Sequence, residues 1–450
     1  MAAMDKRFVS SKLADAPPST SYLTRQVPIN SGNDIQANQS IRFRIGGLQA
    51  NQFLDPSLSF IKMEIHNEGG ETFTLPPSGA LGLFRTVELT QAGAVISSFT
   101  EFGTMCNMFQ KLNASAESAE LHSQLYGSGV DDGDFIGAGE SRTVCIPLKY
   151  FSSLFWADKM IPLFSKDALE LTLTLGDHLY AGFWGRSKTI TTVNDSMLKF
   201  KSAEMIQQIV QTAPSVTQSL MSVDGGKYII ETKGVGHNQY TIPAGLNGEY
   251  TINLGLGYSS LEAINFVHSA NQASNGTAYV AIDQKTNDTT KLFTRNHLKA
   301  YGLSVDGTFV ESLRMVQGKN DVSAAEFLAM SLIQKGVLSK ECGLPAQLTG
   351  ITKVNGSTNH YRWGTDNPLT FSNVYDNQGH SFSTVNTLDV CVYKMKKDGI
   401  CSGRNVLGSS TQLVLDYTGT PAITPLHVYS TFRQLCILDL NGSGLWNVIQ

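Results

Sequence analysis

The chain has 450 residues, enough for two cores of domain size, and 41% of them are hydrophobic while only 16% are charged. So little charge points to large buried or contacting surfaces, and a formal net charge of -4 with no long Lys or Arg block argues against wrapping nucleic acid directly. The opening MAAMDKRFVSSKLADAPPST lacks the apolar stretch of a secretory signal and no run reaches the length of a membrane span, so neither a secreted nor an integral membrane role is expected.

Forty-one glycines, among many Thr, Ser and Asn, predict short strands joined by turns, a mainly β chain. Residues 1–20 read as an adaptable arm ending at Pro17-Pro18. Residues 41–45 alternate strictly, with Ile41, Phe43 and Ile45 on one face and Arg42 and Arg44 on the other. Residues 58–65 read as the next strand, and 84–89 with 94–99 as a hairpin turning at Gln91-Ala92-Gly93. The period then changes, because Met105, Met108, Phe109, Leu112, Leu121 and Leu125 predict a helix within 104–125. A Gly- and Asp-rich loop follows at 127–139, then Ile146-Pro147-Leu148, a short helix through Trp156, and Ile161-Pro162-Leu163. Residues 169–175 (LELTLTL) form the cleanest strand, 199–210 another extended run, and 212–222 a linker.

The second half repeats this order. Strands are expected at 227–230, 250–254 and 278–282, a hairpin at 298–305 and 308–313, and a helix at 323–338. A long polar segment covers 339–382, and late strands are expected at 388–393, 412–417 and 428–440. Aligning Gly93 with Gly307, 214 residues later, sets Arg85 on Lys299, Leu89 on Leu303, Thr90 on Ser304, Val95 on Phe309, Ile96 on Val310 and Ser98 on Ser312. Strand, turn, strand and helix occurring twice indicates an internal duplication. Hairpins with a central Gly are common, so two unrelated sandwiches remain the alternative. Two fused sandwiches is the architecture under either reading.

The segment IPLKYFSSLFWADKMIPLFSKDALELTLTL, residues 146–175, resembles the double jelly-roll major capsid proteins of large nucleocytoplasmic DNA viruses, virophages, Polinton-like elements and, more distantly, the adenovirus hexon. The matching residues are Ile146, Pro147, Leu148, Phe151, Phe155, Pro162, Leu163 and the leucines of 169–175. The end of the chain, LHVYSTFRQLCILDLNGSGLW, is similar to the terminal strand and Gly-rich tail of that family. No second Ile-Pro-Leu motif appears in the later half. The resemblance implies an all-β fold of two fused eight-stranded jelly-roll sandwiches with short helical insertions. They would divide the chain into an arm (1–20), a first roll (21–215) and a second (216–450). It further implies a homotrimer of pseudo-hexagonal outline tiling the icosahedral shell of a DNA virus. Its partners would be neighbouring capsomers, penton and minor capsid proteins and an internal membrane, without sequence-specific nucleic-acid binding. Residues 339–382 would shape the outer surface.

Chemistry is sparse. The acidic loop Asp131-Asp132-Gly133-Asp134 lacks the full calcium-binding loop and its terminal Glu, and reads as a solvated turn. Gly255-Leu256-Gly257 is too short for a dinucleotide fingerprint, and neither a phosphate loop nor a nucleophile elbow is present. The nine histidines, among them His66, His178, His297 and His427, are scattered singly and read as structural or surface residues. Glycoside hydrolysis needs two carboxylates facing across a cleft, whereas Glu64 shares its strand face with Lys62 as an ordinary polar face would. Lys394, Lys396 and Lys397 read as a solvated loop, and Tyr361-Arg362-Trp363 as loop packing rather than a glycan platform. Cys106, Cys145, Cys342, Cys391, Cys401 and Cys436 contain no C-x-x-C pair and read as buried free thiols of a reducing compartment. No catalytic, cofactor or metal residue is therefore assigned. The leading expectation is a capsid protein that is not an enzyme. The alternatives are a two-domain β-sandwich that binds carbohydrate or a receptor on a virion, and a single jelly roll with a projecting domain.

Overall fold

The computed structural model describes residues 19–30, 34–47, 50–70, 72–76, 78–113, 125–127, 135–157, 159–176, 183–184, 198–222, 225–269, 293–294, 297–310, 315–316, 351–353, 360–363, 372–374, 385–390, 393–394, 401–420 and 423–450. Eight main strands precede residue 213: β1 (Ser19–Gln26), β2 (Ser40–Ile45), β3 (Gln52–Asn67), β4 (Phe84–Gln91), β5 (Ala94–Thr100), β6 (Ser141–Pro147), β7 (Leu169–Leu175) and β8 (Leu198–Thr212). Eight more follow: β9 (Lys227–Ile242), β10 (Asn247–Asn253), β11 (Leu261–Ser269), β12 (Leu298–Val305), β13 (Thr308–Phe309), β14 (Val385–Asp389), β15 (Thr411–Thr418) and β16 (Thr424–Asp439). A last strand, β17 (Trp446–Ile449), lies along β16. Helices α1 (Phe102–Asn113) and α2 (Pro214–Ser222) complete the main elements.

The first eight strands form two antiparallel sheets in the orders β1-β8-β3-β6 and β2-β7-β4-β5. The second eight form β9-β16-β11-β14 and β10-β15-β12-β13. Adding eight to each label of the first half yields the second half. Each half is a jelly roll, in which two four-stranded sheets close over one core.

Alternation explains how each sheet finds its core. Ile41, Phe43 and Ile45 of β2 and Leu169, Leu171, Leu173 and Leu175 of β7 are buried, while Arg42, Arg44 and Glu170 stay exposed. In register, Leu171 lies between Phe43 and Leu89, so three buried side chains cross the sheet in a row. In the second roll Leu413 lies between Ile252 and Leu303 in the same way. The duplicated hairpins keep their 214-residue spacing to the residue: Thr90 pairs with Val95 and Ser304 with Phe309, around turns of Ala92-Gly93 and Asp306-Gly307. All four turn residues have positive φ (48°, 81°, 52° and 80°), the two-residue turn whose twist matches its strands.

Several expectations change. The sequence places the arm through residue 20, yet β1 begins at Ser19 and pairs along its whole length with β8. The linker at 212–222 is helical over α2, which opens on Pro214, a residue favoured at a first helical position. The helix expected through Trp156 is instead two 3-10 turns, Leu148–Phe151 and Ser153–Ala157, separated by the extended Ser152. Leu261–Ser269 is a strand outside the expected set, β9 runs to Ile242, far beyond the expected 227–230, and β16 begins at Thr424, four residues before the expected 428–440. Of the helix expected at 104–125, α1 accounts for 102–113, and residues 114–124 lie outside the described residues. So do the strand expected at 278–282 and the helix at 323–338.

Candidate assembly interface

The long ladder β9–β16 builds the junction between the rolls. Its inward residues near Ile242, Leu426 and Val428 line the second core. Farther along, Ile230, Val235, Tyr429, Cys436 and Leu438 join the first core instead, with Val267 of β11 and Trp446 of β17. The sheet is therefore covered on both faces, and β11 is buried at every position from Leu261 to His268. What the first roll places against it is the β5 edge and the 3-10 turn with Trp156, whose ring stacks on Phe99 at 5.3 Å.

Several polar groups buried by this packing find partners across it, although Ser153 Oγ and Trp446 Nε1 do not. Tyr429 donates its hydroxyl to the Glu101 carbonyl at 3.0 Å, and Thr232 donates to the Ser153 carbonyl at 2.5 Å. The Gln434 amide donates to the Ile96 carbonyl at 3.3 Å. Gln91, 1% exposed, accepts from the Trp446 backbone N–H at 2.7 Å and donates to the Asp167 carbonyl at 2.7 Å. The two rolls are thus one packed body.

Two histidines meet here that spacing does not connect, with a third nearby. His237 Nε2 is 3.1 Å from His427 Nδ1, its own Nδ1 is 2.9 Å from the Thr100 hydroxyl, and its ring stacks on Tyr429 at 4.8 Å. The uninterrupted β9–β16 register, which sets Gln239 opposite His427 and His237 opposite Tyr429, brings the two rings together across 190 residues of sequence. His268 lies behind them with Nε2 2.8 Å from the Tyr417 hydroxyl. Burial pushes His237 and His427 down to about 4 and His268 to about 3, with the neighbouring histidine adding to the effect on His427 and His268. Neutral imidazoles each offer one donor and one acceptor, which suits a hydrogen-bonded link across the junction.

The other singled-out residues stay apart. Lys62 is exposed and Glu64 half-buried on one face of β3, where they pair with Glu204 and Ser202 of β8. His66 meets the Ser141 hydroxyl at 2.9 Å, and His297 is exposed. Leu256, between the two glycines of 255–257, is buried in the second core. Tyr361, Arg362 and Trp363 lie on a strand, His360–Trp363, within a small three-stranded sheet, rather than in a loop. Lys394 ends a two-residue strand, Tyr393–Lys394. Asp131, Asp132, Asp134, His178, Lys396 and Lys397 lie outside the described residues, as do Cys342 and Cys391. Cys106, Cys145 and Cys436 are free thiols; Cys436 is buried and the other two half-buried. Among the described residues, no group of three His, Cys, Asp or Glu side chains could hold a metal, and no helix is long and apolar enough to cross a membrane.

No family model matches the sequence, and no curated protein matches it. Solved structures do. PBCV-1 VP54, as fitted into a reconstruction of the virophage Sputnik, aligns with a TM-score of 0.63 over 99% of each chain at 11% identity. The Faustovirus major capsid protein aligns at 0.57 over 96% of this chain and 92% of its own, with 10% identity. The mavirus major capsid protein aligns at 0.52 over 99% and 93%, with 11% identity. The duplicated sheets and the likeness over nearly whole chains lead to one conclusion: this protein has the double jelly-roll fold.

Proposed function

We propose that the chain is a major capsid protein of an icosahedral DNA virus, acting by assembly rather than catalysis. The observation that carries this reading is the pair of rolls with identical strand order, fused into one body by a buried junction. Such a unit presents two similar faces per chain, and three chains then supply six similar positions around one axis. Two of the solved chains aligned above, those of Faustovirus and mavirus, are named as major capsid proteins, which supports the same reading. In this reading the chain divides into an arm that ends where β1 begins at Ser19, a first roll through residue 215 and a second roll (216–450). Its partners are further copies within a homotrimer and in neighbouring capsomers, with penton and minor capsid proteins and an internal membrane around them. It resides in the virion.

The test is the mass of the purified chain by light scattering, with electron microscopy of the same sample. A particle of three chains, each 48.9 kDa, with a pseudo-hexagonal outline supports the proposal. A monomer that never assembles, even with crowding or added salt, overturns it and leaves a binding protein as the better account.

A further inference from the structure

The histidine link across the junction has a definite capacity for protons, set by its geometry. His237 on β9 and His427 on β16 have rings 17° from parallel with centroids 5.3 Å apart, while the facing nitrogens, His237 Nε2 and His427 Nδ1, are 3.1 Å apart. That is closer than stacked ring faces approach, so the rings meet edge to edge through an N–H···N hydrogen bond. The second nitrogen of His237 is also engaged, 2.9 Å from the Thr100 hydroxyl at the end of β5. Two hydrogen bonds in series therefore run from roll one, through His237, to the strand that closes roll two. The equivalent ladder of roll one, β1–β8, contains no histidine, so the pair is not something a roll needs in order to fold.

In the neutral state one N–H lies between the two rings, and the Thr100 hydroxyl completes the other bond. One added proton leaves both bonds in place: a His237 imidazolium donates from Nδ1 to Thr100 and from Nε2 to the lone pair on His427 Nδ1. A second proton, on His427 Nδ1, sets two N–H groups against each other and puts like charges on adjoining rings, so the bond is lost.

The surroundings do little to offset that charge. Tyr429 of β16 stacks on His237 and gives its hydroxyl to the Glu101 carbonyl, and the Glu101 carboxylate lies 3.8 Å from Arg85 of β4. Val267 and Asn265 of β11 stand beside His427 and Tyr429 in register, and Gln239 of β9 stands on the other side of His427. The Lys233–Glu262 ion pair lies farther along the same face of β9, and His268, bonded to Tyr417, is on the opposite face of β11 from Val267. Glu101 and Glu262 are the carboxylates among these described residues, and each already faces a cation. Burial holds His237 and His427 down at about 4, so the link is neutral and closed at neutral pH and meets its protons only in acid.

We propose that Thr100, His237 and His427 form a proton-operated latch between the rolls, which holds through one added proton and opens at the second, freeing the end of β5 from β9 while both cores stay folded. The latch belongs to the single chain and stands apart from the assembly reading. Because the opened rings take up protons that the closed pair refuses, acid drives the opening, by about tenfold per pH unit for each proton taken up.

The experiment is amide hydrogen exchange, read by mass spectrometry on the full chain from about pH 7 to about pH 4, with each rate divided by that of an unstructured peptide at the same pH. Peptides covering 94–101 and 232–240 are expected to lose about tenfold or more of their protection per pH unit in the lower half of that range, whereas those covering 41–45 and 411–418 keep theirs. His427→Gln keeps a hydrogen-bonding partner in place but cannot take the second proton. It is expected to match wild type at neutral pH and to keep its junction protection in acid. Thr100→Val alters an exposed position outside both cores, and remains informative should His427→Gln fail to fold. It is expected to lower junction protection at neutral pH to the level wild type reaches in acid, with the pH dependence flattened. Equal loss in junction and core peptides would mean global acid unfolding and overturn the latch. So would wild-type junction protection that stays level throughout, an acid response in His427→Gln as steep as in wild type, or an unchanged junction in Thr100→Val.

Discussion

Gly93 and Gly307 hold the same position in the two rolls: each is the second residue of a two-residue hairpin turn, with φ of 81° and 80°. A β-carbon at either site would meet nothing within 4 Å, so only the left-handed backbone favours glycine there. Gly93→Ala and Gly307→Ala should each cost about 1–2 kcal/mol by the same mechanism. Ala92 occupies the first turn position at φ 48°, where its counterpart is Asp306 at 52°. Ala92→Asn should therefore raise stability, by about 0.5–1 kcal/mol, because Asn tolerates this region better than Ala. Thermal unfolding of the three variants checks this, and a lowered melting temperature for Ala92→Asn would contradict the turn assignment.

Gln91 ties the end of β4 to the Asp167 carbonyl and the Trp446 amide. Gln91→Leu keeps the approximate volume but orphans both buried partners, at about 1–3 kcal/mol each. The expected loss in denaturant unfolding is about 2–5 kcal/mol, far above that of an exposed position. A loss under about 0.5 kcal/mol would mean that the junction does not depend on this link.

Leu89 and Leu303, both fully buried, sit at matched places in the two cores. Truncation of either to Ala should cost about 2–5 kcal/mol through lost burial and the cavity left behind. Because the first core includes Tyr429, Cys436 and Leu438 from the second half, either change is expected to shift one common transition. Calorimetry resolving two independent transitions would argue against a shared body.

The junction histidines predict an acid response. Their folded values, about 4 for His237 and His427 and about 3 for His268, lie below that of a free imidazole, about 6.5. Across the window from about 6.5 down to 4 the unfolded chain binds more protons than the folded one, so stability falls as pH drops and is fully present above it. The melting temperature should decline over this range, and His427→Gln should decline less steeply than wild type. Identical slopes for the two proteins would exclude His427 from the response.

Much of the fold was legible because period-2 alternation marks strands with one face in a core. Residues 41–45 and 169–175, the positive-φ turns and the 214-residue repeat all follow from local chemistry. β11 escaped notice for a physical reason: Leu261 to His268 is buried on both faces, so no polar alternation marks it. β1 escaped for the opposite reason, since STSYL is exposed on both faces and has little apolar pattern to detect.

The assembly surfaces divide in the same way. The residue types of the junction are written in the chain, but Tyr429 and Glu101, 328 residues apart, meet only through the packing of one roll on the other. His237 and His427 meet only because a sixteen-residue strand keeps its register with another across the sheet. Sequence by itself determined which segments extend, where they turn and that the pattern occurs twice, because those depend on neighbours along the chain. Tertiary structure alone decided which edge is covered and which is left open, because burial of a strand depends on what the rest of the chain brings against it.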